Sequence, residues 1–237
     1  MPPPHRRGVL PALPLAFAAL LRKDLLSTMR RWQEPAALLI VAGVAGLASS
    51  YMVSGPAAPI AEYEDAAAVL AAGQILTMLI VSLAAGFLAV LREAEKGTLD
   101  GLRASAIPPE ELFLAKLAYI YMLVASLSLA YALSTAFLAS WSQLVSPAYI
   151  AMVMVVSLYF SAAAALTSFM IVYSESRSLL SIVVLAGLLT PYLQQAVQPL
   201  GYAAAGLATL GDTALLAGVA VAFTVIATLL SKPLAEI

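Results

Sequence analysis

The side chains best suited to chemistry are concentrated in one stretch, Arg92-Glu93-Ala94-Glu95-Lys96-Gly97-Thr98-Leu99-Asp100-Gly101-Leu102-Arg103-Ala104-Ser105. Their types suit docking better than catalysis. Gly97 can end a preceding helix, and Thr98 can cap a very short one that exposes Leu99 and Leu102. Pro108 and Pro109 suit the start of the next helix, where Glu110 and Glu111 complement the positive end of its dipole. From the residues alone the segment reads equally as two apolar knobs ringed by charge, onto which another protein can dock, or as a plain charged hairpin between spans. Other chemistries lack their residues. There is no Cys, which removes disulfides, thiolate zinc sites and iron-sulfur clusters. The single His, His5, lies in a Pro-rich basic start and reads as part of that basic end rather than as a ligand. No catalytic, cofactor-binding or metal-ligating set is assigned.

The elements that must position this loop are set by lipid. Of the 237 residues, 62% are hydrophobic and 11% charged, too apolar for one water-soluble core. The charge-free runs 35–61, 66–91, 117–174, 178–211 and 213–231 supply the crossings, because a helix needs about 20 apolar residues to span a bilayer core. The longest has room for two. The expected fold is therefore an all-α integral membrane protein with six transmembrane helices, near 35–54, 67–91, 114–138, 149–172, 179–198 and 213–231. Residues 1–34 form the N-terminus and an interface helix, 35–231 the six-helix bundle, and 232–237 the tail. Loop 92–112 joins spans two and three. Pro191, Pro199 and Gly201 interrupt the fifth apolar run, which suggests a separate re-entrant or surface segment over 199–211.

All twelve basic residues fall on one side of this six-span arrangement, whereas the opposite loops carry only Glu62, Glu64, Asp65 and Asp212. The positive-inside rule then places both termini in the cytoplasm, with the plasma membrane as the expected location. Pro11 and Pro14 interrupt the first apolar stretch, and Arg22, Lys23, Arg30 and Arg31 follow it, which argues against a cleaved export signal. Instead Phe17, Leu21, Leu25, Met29 and Trp32 recur at helical spacing, with Lys23, Ser27, Arg30 and Gln33 mainly opposite. That pattern predicts an amphipathic helix, either lying in the interface with its basic face toward anionic headgroups or serving as an ordinary linker of the same pattern. Lys116 is expected to snorkel at the membrane surface. No ionisable side chain is expected within a span, which disfavours gradient-driven carriers. The most polar interior groups are Gln74, Thr77, Tyr131, Tyr159, Thr190, Gln194, Gln195 and Gln198. Small residues such as Ala42, Gly46, Ala85, Gly86 and Ala162 through Ala165 favour close helix packing.

The pattern Glu93-x-x-x-Gly97-Thr98-Leu99-Asp100-x-Leu102-x-x-Ser105-x-Ile107-Pro108, leading to Lys116, resembles the coupling-helix loop of ABC-2 type permeases. Leu21-Arg22-Lys23-Asp24-Leu25 is similar to the start of one branch, the cytochrome c maturation B subunits, also called haem exporter protein B. Glu175-Ser176-Arg177-Ser178-Leu179-Leu180-Ser181 and Leu188-Leu189-Thr190-Pro191 resemble that branch's loop between spans four and five and its proline-bearing fifth span. Thr28 departs from the pattern, since an acidic residue is expected there.

The resemblance implies a six-span permease subunit driven by a separate soluble ABC ATPase, because the chain has no Gly-x-x-x-x-Gly-Lys-Ser/Thr phosphate loop. Gly97, Thr98, Leu99 and Leu102 would couple to that ATPase, with Glu93 and Arg103 setting charge complementarity at the rim of the contact. A second permease copy would complete a homodimer, and separate haem-handling membrane subunits could join it. Haem is then the possible cargo of the complex, ATP acts through the partner, and no cofactor is covalently bound. No nucleic-acid partner is expected. The alternative is a general ABC-2 exporter for a lipid, drug or glycan, with an outer groove bearing Tyr131, Tyr159, Gln194 and Gln195. A membrane enzyme would need a carboxylate site at the cytoplasmic rim.

Overall fold

With lipid as solvent, each backbone amide must be satisfied within its own segment, and this chain answers with helices. A computed structural model describes residues 13–54, 63–95, 97, 107–171 and 177–235, and among these there is no strand. The order is α1 (Leu13–Arg30), α2 (Gln33–Ser54) and α3 (Tyr63–Gly86), which continues as a π-helical turn (Phe87–Leu91) into α4 (Arg92–Glu95). Then come α5 (Pro109–Leu138), a 3₁₀ turn (Ser142–Val145), α6 (Pro147–Met170), α7 (Arg177–Ala204) and α8 (Leu210–Ala235).

Among the described residues, five helices are long and apolar enough to cross a membrane: α2, the stretch from Glu64 to Ala94, α5, α6 and α8. These are the marks of an all-helical, multi-pass membrane protein. α7 is not one of the five; it carries Gln194, Gln195 and Gln198 and has Pro191 and Pro199 inside it. It runs antiparallel to α3, since Ile182 shares a groove with Ile80 and Phe87 while a Cβ on Gly201 would lie 3.7 Å from Ala68 Cα.

Helix ends follow local chemistry. Pro109 opens α5, with Glu110 and Glu111 in its first turn, so this helix begins five residues before the expected span. Ser146 caps α6, its Oγ accepting from Tyr149 N at 3.3 Å. Thr209 and Asp212 form a reciprocal cap on α8: Asp212 N donates to Thr209 Oγ1 at 3.2 Å and Thr209 N to Asp212 Oδ2 at 3.4 Å.

The separate segment suggested over 199–211 is absent. α7 passes through Pro199 to Ala204, and 205–209 form a turn. Gly206, at φ +78°, ends the helix in a Schellman motif: its N–H donates to Ala203 O at 3.1 Å, and Leu207 N donates to Tyr202 O at 2.7 Å. Trp141 Nε1 adds a bond to Ala204 O at 2.7 Å. A proline inside a helix removes one backbone bond and crowds the carbonyl four residues before it, which a membrane helix packed against its neighbours tolerates, whereas these groups satisfy the end of α7.

α5 and α6 form the middle of the bundle, with α3 beside them, while α2 and α8 lie outside. Ala162, Ala163, Ala164 and Ala165 are all buried. Three glycines sit where a side chain would collide: Gly46 against Ser134 Oγ, Gly73 against the Tyr131 hydroxyl and Ser49 Oγ, and Gly86 against Ser168 Oγ at 2.6 Å. Outward apolar residues such as Ile40, Val44, Phe137, Val225 and Leu229 are exposed, where a bilayer would cover them.

α1 packs on α5. Its buried stripe is Leu20 and Asp24, flanked by half-buried Phe17, Leu21, Leu25 and Thr28, and Met29 and Trp32 stay exposed. The stripe expected from spacing therefore applies only to the first part of α1, because the chain turns into α2 immediately after Arg30.

Candidate functional site: a buried charge cluster at the basic end

Lys116, expected to snorkel, is instead the most enclosed charge described, with 1% of its side chain exposed. Its position explains this. Leu112, Phe113, Lys116, Tyr119 and Ile120 share one helical face of α5, and all are buried. Lys116 lies about 10 Å along α5 from Pro109, at a rise of roughly 1.5 Å per residue. Its Nζ is 2.8 Å from Asp24 Oδ2 on α1 and 2.7 Å from Glu93 Oε2 on α4. Lys23, exposed on α1, takes the other Glu93 oxygen. One ammonium thus joins three helices, and the expectation of spans free of ionisable groups gives way to paired ones. Such charges are tolerated in the interior because each has an opposite partner within hydrogen-bonding distance.

A neutral link lies one turn along. The Thr28 hydroxyl donates to Asp24 O at 2.9 Å, which uses its only hydrogen. The Tyr119 hydroxyl must then donate to Thr28 Oγ1, 2.6 Å away. Thr28 serves α1 packing by hydrogen bonding where an acidic residue was expected. Beside this, Arg92 grips Glu34 of α2 with both terminal nitrogens, Nη1 to Oε2 at 2.7 Å and Nη2 to Oε1, and Arg31 approaches the same carboxylate at 3.7 Å. Lys232 of α8 pairs with Glu110 of α5 at 2.7 Å on the surface.

The π-helical turn sets the aim of this cluster. Arg92 N donates to Phe87 O, five residues back, so the turn holds one residue more than an α-helix would. Ala89, Val90 and Leu91 are consequently all buried, and the next two side chains reach Glu34 and Lys116. A polar cleft of about 200 Å³, lined in part by Lys23, Asp24, Thr28, Arg92, Glu93 and Tyr119, opens beside the ion pairs. Burial, outweighing the attraction of Lys116, holds the Asp24 carboxyl above its ordinary value of 3.8. Both interior carboxylates are committed to Lys116. The arrangement acts as an electrostatic cross-link between α1, α4 and α5.

The residues nominated from sequence fall in different places. Gly97 ends α4 in the left-handed region, φ +66°, its N–H donating to Ala94 O at 3.0 Å. Glu93 belongs to the cluster rather than to an exposed rim, with 14% of its side chain exposed. Thr98, Leu99, Leu102 and Arg103 lie outside the described residues. Tyr131 is buried and donates to Leu70 O at 3.1 Å, so it joins α5 to α3. Tyr159 is also buried; it stacks on Tyr192 at 3.8 Å and donates to Leu188 O at 3.0 Å, joining α6 to α7. Gln194 and Gln195 are exposed. These four therefore do not line one groove: the tyrosines are used in helix packing, and the glutamines face outward.

No family model matches the chain, and no curated relative matches it.

Proposed function

We propose that this chain is the permease subunit of an ABC transporter complex acting in haem export or delivery for c-type cytochrome maturation, transducing motion of a separate ATPase subunit. One observation carries the transducer reading: Glu93, at the entrance to loop 92–112, is fixed to Lys116, on the helix that leaves it. A push on the loop is passed directly to α5, through Asp24 to α1, and through Arg92 to Glu34 on α2. A slack hinge would dissipate it.

The six-span ABC-2 arrangement is supported by α7. Between Ile182 and Gly201, which lie beside opposite ends of α3, the helix rises about 28 Å, near the thickness of a bilayer core. α7 is then the sixth crossing, and both termini share the cytoplasmic side with the basic residues. The haem branch rests on the resemblance of residues 17–198. A second permease copy, a soluble ATPase, haem-handling subunits in the plasma membrane, and ATP used by the partner complete the proposal.

The test is co-purification with a soluble ATPase from the native membrane. Leu99→Asp or Leu102→Asp should abolish it while membrane insertion persists, and unchanged ATPase binding in both variants would overturn the docking surface. Deletion of the chain should remove c-type cytochromes. Normal cytochromes with failed export of another compound would point to the general exporter instead.

A further inference from the structure

We propose that the basic end of α1 and the apolar groove beside it form one binding site for an anionic phospholipid from the leaflet at the basic end of the bundle. The inference rests on the membrane location alone and not on the transport reading. The groove, about 480 Å³, lies between α2, α3 with its π-helical turn, and α7, with Leu38, Ile80, Leu83, Ala84, Phe87 and Ile182 among its walls. It is within the roughly 300–1,000 Å³ typical of small-molecule sites. Its one charged lining residue, Glu34, is neutralised by Arg92 and approached by Arg31.

The groove does not stop at apolar walls. Leu88 is shared with the polar cleft of the charge cluster, and Lys23 and Ser27 of that cleft are shared with a recess of about 510 Å³ that includes Arg30 and Arg31. The apolar slot thus adjoins the polar cleft at Leu88, the cleft adjoins the basic recess, and Arg31 reaches back to Glu34 on the wall of the slot. Among the described residues Arg30 makes no ion pair, and Arg31 makes only the long contact to Glu34. Trp32, exposed at the same turn, suits the headgroup region. An acyl chain fits the slot, and its phosphate meets the arginines, whose planar donors match phosphate oxygens. A soluble anion would leave the slot unused, and a neutral lipid would leave the arginines unmatched.

The chain has no cysteine, so a fluorophore on Phe87→Cys reports from the groove alone. Ile80→Cys provides a second reporter there, and Val225→Cys on α8 reports ordinary lipid contact. The full chain in phosphatidylcholine nanodiscs receives a small fraction of phospholipid with a doxyl spin label on its acyl chain. Doxyl phosphatidylglycerol should quench the groove labels more than doxyl phosphatidylcholine at equal fraction, with no preference at Val225. The preference should fall about fivefold for each of Arg30→Gln and Arg31→Gln, following the usual worth of one basic residue near an anionic surface. Equal quenching by the two lipids at both groove labels would overturn the site, as would a preference that survives the double arginine variant. Absence of quenching by either lipid would also overturn it and would indicate a second copy covering the groove.

Discussion

The two ends of the bundle are held by different forces. At the basic end, helices meet through ions: Lys116 between Asp24 and Glu93, and Arg92 on Glu34. Toward the other end they meet through contact and neutral hydrogen bonds. There Gly73 lets α3 close on Tyr131, Tyr131 donates to Leu70 O, and Trp141 donates to Ala204 O. The difference teaches where the bundle can yield. Neutral contacts fall off within an ångström or so of separation, whereas charges attract over longer distances and respond to pH and to a nearby charge. The ionic end is suited to being moved, and the close-packed end to resisting movement.

Breaking the ionic end should have the largest effect. Lys116→Met leaves two buried carboxylates without their shared partner and should lower the unfolding free energy by about 3–5 kcal/mol, measured by denaturant titration in mixed micelles. Adding Asp24→Asn and Glu93→Gln should restore most of the loss; a triple variant no better than the single would mean that charge is not what joins these helices. At the packed end, Gly73→Ala should cost about 1–3 kcal/mol, because the new methyl meets the Tyr131 hydroxyl and Ser49 Oγ. Gly43→Ala is the control: nothing lies within 4 Å of its added carbon, so the same assay should show no loss.

Smaller still, Trp141→Phe removes the bond to Ala204 O and should cost about 1 kcal/mol, seen as a lower thermal midpoint in detergent. The least effect is one of slope. Because the folded Asp24 carboxyl is held above 3.8, the folded chain keeps a proton that the unfolded chain releases first. Its contribution to stability is therefore complete below 3.8 and is lost as pH rises through the higher folded value. Asp24→Asn should flatten that part of the stability profile, whereas Trp141→Phe should leave its shape unchanged.

Much of the architecture is legible in the sequence because it depends on neighbours along the chain. Four of the five charge-free runs correspond to the five helices long and apolar enough to cross a membrane, and Gly97 marks the end of α4. The ion cluster is less legible because its members are brought together by folding: Asp24 and Lys116 are 92 positions apart. Read alone, Lys116 resembles any lysine near a membrane surface. The available signal is its phase, since it shares a face with Phe113 and Ile120 instead of with polar residues. α7 shows the opposite limit. Pro199 looks like a stop, but the stop depends on Gly206 and on Trp141 from another part of the chain.

The π-helical turn between Phe87 and Leu91 makes this junction sensitive to chain length. One residue corresponds to about 100° around an α-helix. Deleting any single residue of the turn would leave every charge in the chain intact, yet would swing Arg92 and Glu93 away from Glu34 and Lys116. The surplus residue works as a phase offset: it brings the packed face of α3 and the charged face of α4, two segments of the same period, into alignment.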